Sequence, residues 1–309
     1  MPDYFAPMEG LTDRIYRSLH HRFFGGVDCY YMPFLTPTVH RSLTRREQLE
    51  LPPADSVPFS AVPQLLTKVP EDFLWAAGQC AERGYREVNL NLGCPSGTVV
   101  AKGKGAGMLA DPDRLDAFLD AIFSDTPLPV SIKTRLGMED PAEFERILSV
   151  YNRYPVEMLI IHPRVRKAFY KGDVDMDAFG RAARQTRIPL CYNGNLGSAA
   201  DIAAFSAAFP QIDRVMIGRG LIADPGMLCG GSDPNTLQAF HQALLEAYTE
   251  NFGGPRNAMF RLKENWSYVL QRFPCGEKAA KALRKAVTPA QYRQVTDEIF
   301  AAMKENRKF

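Results

Sequence analysis

At 309 residues the chain has room for one barrel-sized domain of roughly 250 residues and a small appendage. With 46% hydrophobic and 23% charged residues, and no run near the ~20 apolar residues of a membrane helix, the composition is that of a soluble globular protein and excludes a membrane span. The net charge of +2 hides an asymmetry: from Thr236 onward twelve Lys and Arg face seven Asp and Glu, leaving a tail of about +5 and a remainder of about −3.

In chain order, short apolar runs predict eight strands: Tyr4 to Met8, Cys29 to Met32, Phe59 to Gln64, Glu87 to Leu92, Val130 to Thr134, Met158 to His162, Leu190 to Asn193 and Arg214 to Ile217. Helix-like stretches such as Pro70 to Arg83, Asp111 to Phe123, Pro141 to Tyr154 and Ser198 to Phe209 alternate with them. Eight such units predict an α/β fold, a (β/α)8 TIM barrel over residues 1–235. A doubly wound sheet that binds a dinucleotide would show GxGxxG after its first strand, and Ala6-Pro7-Met8-Glu9-Gly10 stands there instead. Past the Gly/Ser/Asp/Pro-rich stretch 230–235 the alternation gives way to helical spacing (Met259, Leu262, Trp266, Val269, Leu270), which predicts a small helical domain over 236–309.

The six cysteines, at 29, 80, 94, 191, 229 and 275, form no CxxC or Cys/His ligand cluster, which argues against disulfides and zinc and predicts packing roles for most of them. No metal site is expected. The start, Met1-Pro2-Asp3-Tyr4, lacks the basic and apolar regions of a secretory signal, so a cytoplasmic location is expected.

A barrel of this kind builds its active site at the C-terminal ends of its strands. Those ends supply Pro7 and Met8, Gln64, Asn91 and Cys94, Lys133 and Arg135, His162 and Arg164, Asn193 to Asn195, and Gly218 with Arg219. Gly218-Arg219 opens a helix, where backbone N–H groups and the helix dipole suit a phosphate; a plain glycine turn reads equally well. Lys133 lies in the apolar run Val130-Ser131-Ile132-Lys133-Thr134 and needs a partner. That partner is the negative N1/C2 edge of a reduced flavin, a Schiff base to a carbonyl substrate, or an internal carboxylate. Cys94, just past a strand and followed by the glycine-rich 102–107, suits a general acid, because a thiol of pKa about 8.5 holds its proton at pH 7. A lone cysteine is also often inert packing.

Six motifs in order resemble the tRNA-dihydrouridine synthases across nearly the whole chain: Ala6 to Gly10; Asn91-Leu92-Gly93-Cys94-Pro95-Ser96 with Lys102 and Gly105; Lys133-Thr134-Arg135-Leu136-Gly137; Ile161-His162-Pro163-Arg164; Tyr170-Lys171-Gly172; and Met216 to Gly220. The resemblance implies an FMN-dependent reduction of uridine in tRNA. It assigns FMN to Pro7, Met8, Glu9, Gln64, Lys133, His162, Asn193, Gly194, Asn195, Gly218 and Arg219, and the proton to Cys94. Asn91 would hold the uracil edge, with Arg135, Arg164 and Arg166 on the substrate side and NADPH or NADH as reductant. No obligate protein partner is evident.

Two departures stand out: Asn195 where the family usually has an acid, and Gly97-Thr98-Val99-Val100 where it has a basic pair. A target uridine must be extruded at a cost of a few kcal/mol. Phosphate contacts from Arg164, Arg166, Lys167, Lys171, Lys278, Lys281 and Lys285 would offset that cost, although a solvated basic face looks the same in sequence. The competing readings are a flavin reductase of free pyrimidines or small enones, a Schiff-base aldolase using Lys133, and a non-catalytic RNA-binding protein. The last would leave the polar strand ends unexplained.

Overall fold

A computed structural model describes residues 3–38 and 40–306, so Arg307 and Lys308 of the basic tail lie outside the described residues. The chain divides into two compact units. The first comprises residues up to Glu9, Asp28–Asn195 and Ala204–Ile217; the second comprises Gly10–Val27, Leu196–Ala203 and the chain from Gly218 on.

The first unit holds one parallel sheet of β1 (Asp3–Phe5), β2 (Cys29–Tyr31), β3 (Ala61–Val62), β4 (Gln64–Leu65), β5 (Val88–Leu92), β6 (Val130–Arg135), β7 (Leu159–His162), β8 (Leu190–Tyr192) and β9 (Val215–Ile217). Its order is β3-β2-β1-β9-β8-β7-β6-β5-β4. The two ends of that list are neighbours in sequence. Pro63 has no N–H to donate and splits the expected third strand, so that Ala61–Val62 pairs with β2 and Gln64–Leu65 pairs with β5. The eight expected strands are therefore all present, one of them in two pieces, and the sheet closes as a TIM-type barrel with helices around it.

Helices start where the sequence equips them to. Pro70 and Pro112 occupy the first turn of Pro70–Glu82 and Pro112–Asp125, where a missing N–H costs nothing. Asp111 and Asp175 cap Pro112–Asp125 and Met176–Gln185 by accepting from the Arg114 and Ala178 amides.

Strand β5 shows how the barrel separates its two faces. All five residues of Val-Asn-Leu-Asn-Leu are buried. The register sets Asn89 beside Gln64 and Ser131, and Asn91 beside Lys133, so the polar residues share the inward face while Val88, Leu90 and Leu92 turn to the helices. Elsewhere the interior is apolar, with Ala6, Tyr31, Val62, Met158, Ile160, Cys191 and Met216 in one cluster, against which Tyr4 and Cys29 pack. Of the cysteines, Cys80 and Cys191 are buried, Cys229 is exposed and the others are intermediate, so the expected packing role holds fully for two.

In the second unit, helix Pro255–Arg272 buries Met259, Leu262, Trp266 and Val269 as their spacing predicts. Its polar core is a three-ring relay: the Tyr292 hydroxyl accepts from Trp266 Nε1 (2.9 Å) and donates to His241 Nε2 (2.7 Å). Burial pulls the His241 pKa down to about 4, which keeps the imidazole neutral and able to accept. No helix among the described residues is long and apolar enough to cross a membrane. We predict that Tyr292→Phe, which strands both partners, destabilises the protein by roughly 1–3 kcal/mol in denaturant titration. A loss below about 0.5 kcal/mol would mean that the relay carries no net stability.

Candidate active site

Cys94 follows β5 in a loop held from inside the barrel. Asn91 Oδ1 accepts from the amides of Gly93 (3.1 Å) and Cys94 (2.9 Å). The Asn91 amide nitrogen then donates to Gln64 Oε1 (2.7 Å), Gln64 donates to Asn89 Oδ1 (2.7 Å), and Asn89 donates to Ser131 Oγ (2.8 Å). Ser131 in turn donates to Glu87, which also accepts from the Tyr31 hydroxyl at 3.4 Å. From outside, Gly105 closes the loop: its φ is +58, and a Cβ there would press on Cys94 Cβ and Val99. The Ala106 amide donates to the Cys94 carbonyl at 3.1 Å. In the sequence Gly105 is one glycine of a glycine-rich run with no site role attached; the combination of positive φ and close approach is a three-dimensional fact.

Burial raises the Cys94 thiol pKa, outweighing the nearby cations Arg135 and Lys133, so the thiol is protonated at neutral pH. Lys133, one strand over, is lowered to about 8, chiefly by burial and secondarily by Arg135. No carboxylate or hydrogen-bond partner reaches Lys133 Nζ among the described residues, which removes the internal ion pair from the three readings of this amine.

His162 is also neutral, its pKa held well below the usual range by burial and by Arg135 and Lys133. Its Nδ1 donates to the Asn193 carbonyl (2.7 Å) and its Nε2 accepts from Arg164 (3.3 Å), so both nitrogens are engaged. Asn193 donates to the Met216 carbonyl (2.6 Å). At Gly194 a Cβ would fall on the Tyr192 hydroxyl, so only glycine fits. Asn195, exposed, accepts from Arg164 through Oδ1 (3.1 Å), keeping the acceptor a carboxylate would offer while dropping its charge.

Arg135 and Arg164, expected on the substrate side, are buried, and besides their side-chain partners both bond main-chain carbonyls. Arg135 bonds the carbonyls of Gly93 (2.8 Å), Val165 (3.2 Å) and Phe169 (2.7 Å). Arg164 bonds those of Lys171 (3.3 Å) and Gly172 (2.5 Å). Arg166 is partly exposed, its guanidinium 5.2 Å from the Phe169 ring. Pro7 and Met8 are partly exposed after β1, and Glu9 pairs with Arg46 at 2.6 Å. Gly218 and Arg219 belong to the second unit, Gly218 capping the short helix Arg219–Ala223. The first unit thus gathers Gln64, Asn91, Cys94, Lys133, Arg135, His162, Arg164 and Asn193 on the strand ends β4 to β8 and their loops.

Burial also raises the Glu87 pKa, while the Ser131 hydroxyl pulls it down. A carboxyl whose folded pKa is raised binds more protons folded than unfolded, so its ionised form is the one that needs the serine. We predict that Ser131→Ala costs roughly 1–3 kcal/mol at pH 8 and less at pH 5, where Glu87 is more protonated, by denaturant titration. A cost that is equal at both pH values would contradict an ionised Glu87 at the end of the chain.

Residues 4–308 match the family described as "Dihydrouridine synthase (Dus)". Among curated proteins, tRNA-dihydrouridine synthase B of Pasteurella multocida is 28% identical over 223 residues, spanning 72% of this chain but only 66% of the relative, just under two thirds of its length. A protein named "Probable tRNA-dihydrouridine synthase" in Rhodobacter capsulatus is 27% identical over 322 aligned positions, spanning 97% of this chain and 96% of its own. Among solved structures, morphinone reductase superposes with a TM-score of 0.55 at 13% identity, covering 76% of this chain and 88% of that one, a likeness of fold. Membership of the matched family implies a flavin cofactor. The motifs quoted from the sequence and the match across both units agree: this chain belongs to the dihydrouridine synthase family.

Proposed function

We propose that this protein is a cytoplasmic, FMN-dependent tRNA-dihydrouridine synthase that reduces the C5–C6 bond of specific uridines with NADPH or NADH as the ultimate reductant. The observation that carries the reading is the pairing of a protonated thiol with an unpartnered, half-buried lysine at neighbouring strand ends. A half-buried cation that no carboxylate among the described residues reaches fits a cofactor edge that brings negative charge. Gly194, where no side chain fits, and the amides of Gln64 and Asn193, each held by a hydrogen bond within the barrel, suit a rigid, planar cofactor wall. The roles of Pro7, Met8, Glu9, Gly218 and Arg219 in holding FMN rest on the resemblance.

FMN, when bound, supplies the hydride for C6 of the uracil ring. Cys94 Sγ gives its proton to C5, so that the C5–C6 double bond becomes single, and the thiolate left behind regains a proton from solvent. Burial keeps that thiol loaded with its proton before the step. Asn91, whose oxygen holds the Cys94 loop, retains one amide hydrogen beyond the bond to Gln64 to offer a uracil carbonyl. Lys133, below its pKa of about 8, holds positive charge at the barrel mouth. The basic residues of 236–309, with Arg166, Lys167 and Lys171, are assigned to tRNA phosphates.

A lysine with a pKa near 8 also suits Schiff-base chemistry, the one observation that favours an aldolase. Borohydride in the presence of carbonyl substrates should leave Lys133 unmodified; a trapped adduct on it would replace the flavin reading. Cys94→Ala should still bind tRNA and still be reduced by the nicotinamide, because neither step uses the thiol proton. Its reoxidation by unmodified tRNA, followed by stopped flow, should slow by roughly 10²- to 10⁴-fold. A rate within about threefold of wild type would leave Cys94 a packing residue.

A further inference from the structure

Between the short helical turn Arg166–Ala168 and Gly172 the chain reverses in a tight turn whose backbone is strained at a bulky residue. Lys171 N–H donates to the Ala168 carbonyl at 2.8 Å, and Phe169, the first central residue, has φ 50° and ψ −104°. These are the values of a type II′ turn, in which the first central position strongly favours glycine. Apart from Phe169, only Arg41 among the described non-glycine residues has a positive φ. The Phe169 ring is also 41% exposed, so neither backbone energy nor burial accounts for a phenyl group at this place.

The strain is held from beneath. Arg135, only 2% exposed, bonds the carbonyls of Val165 and Phe169 with one nitrogen and the carbonyl of Gly93, next to Cys94, with another. Arg164 bonds the two carbonyls that follow the turn. Tyr170, the second central residue, is 54% exposed and turns its ring toward the Arg135 guanidinium, 5.2 Å away, and edge-on to His162 at 5.9 Å. Phe169, 41% exposed, instead has the Arg166 guanidinium 5.2 Å from its centroid, with the exposed cations Lys167 and Lys171 two residues to either side in the chain. An exposed, rigidly held aromatic ring among cations is the chemistry that receives a stacked base beside phosphates.

We propose that Phe169 is a substrate-contacting residue that enters the base stack of tRNA where the target uridine leaves it. The inference rests on the proposed reaction and adds to it a residue outside the reacting centre. Extrusion unstacks the two flanking bases; a ring inserted between them restores contact without reading their identity. The Arg135 tie between the turn and Gly93 fixes this wedge relative to the Cys94 thiol.

The test is a double-mutant cycle in tRNA binding, using Phe169→Gly and Phe169→Tyr holoenzymes. One ligand is an unmodified tRNA transcript, and the other is the same tRNA made abasic at both nucleotides flanking the target. Glycine suits the turn, so Phe169→Gly should melt no lower than wild type, yet bind intact tRNA at least tenfold more weakly. On the abasic-flanked tRNA, where no base awaits the ring, its loss should shrink below threefold, and Phe169→Tyr should stay within threefold of wild type on both. Equal losses on the two tRNAs, unchanged binding of intact tRNA, or a lowered melting temperature would each overturn the proposal. Dihydrouridine formed by wild type from the intact transcript is scored separately; its absence would refute the reaction, whereas the binding cycle bears on the wedge.

Discussion

Two backbone amides, those of Gly93 and Cys94, can only donate, and that restriction fixes the direction of each hydrogen bond in the chain that runs from Asn91 to Glu87 across the barrel interior. Asn91 must turn its oxygen to them, so its nitrogen must face Gln64, and the same logic passes through Asn89 to Ser131. A chain of donors pointing one way has to end on an acceptor, and Glu87 is that end. Reversing any amide would set donor against donor in a buried site, where an unmade bond is expensive. The position of the Cys94 loop therefore depends on residues one to five hydrogen bonds away, on or beside three different strands.

The same enclosure sets the electrostatics. Burial acts in opposite directions on an acid and a cation, raising the Cys94 thiol and lowering Lys133 to about 8. Near pH 7 both therefore carry a proton. His162, lowered further, stays neutral and serves as a relay between the Asn193 carbonyl and Arg164 rather than as a charge. The two buried arginines complete the arrangement by tying loops: Arg135 joins the Cys94 loop to the turn at Phe169, and Arg164 joins that turn to Asn195.

Much of this was legible in the sequence. The eight strands are short apolar runs whose periodicity survives in one chain, and the strand-end rule of the barrel then named Gln64, Asn91, Cys94, Lys133 and His162 before any geometry was known. What was not legible depends on partners far apart in sequence. Arg135 and Arg164 read as substrate cations, and nothing local shows that their donors also meet carbonyls 30 or more residues away or across a turn. Glu87 read as the start of a strand; its role appears only when Ser131 is set beside Asn89. The membership of Gly10–Val27 in the second unit has no periodic signature at all. Phe169 hid because a type II′ turn without glycine contradicts the local rule by which turns are found.

The proposed reaction acts on RNA, so the dihydrouridine content of tRNA, mapped position by position by mass spectrometry, reports on it without an intermediary. Cells lacking the gene would be compared with the same cells carrying the wild-type gene or Cys94→Ala. At least one dihydrouridine position should revert to uridine in the deletion, return with the wild type and stay uridine with Cys94→Ala. An unchanged dihydrouridine map in the deletion, or full restoration by Cys94→Ala, would contradict the proposed reaction.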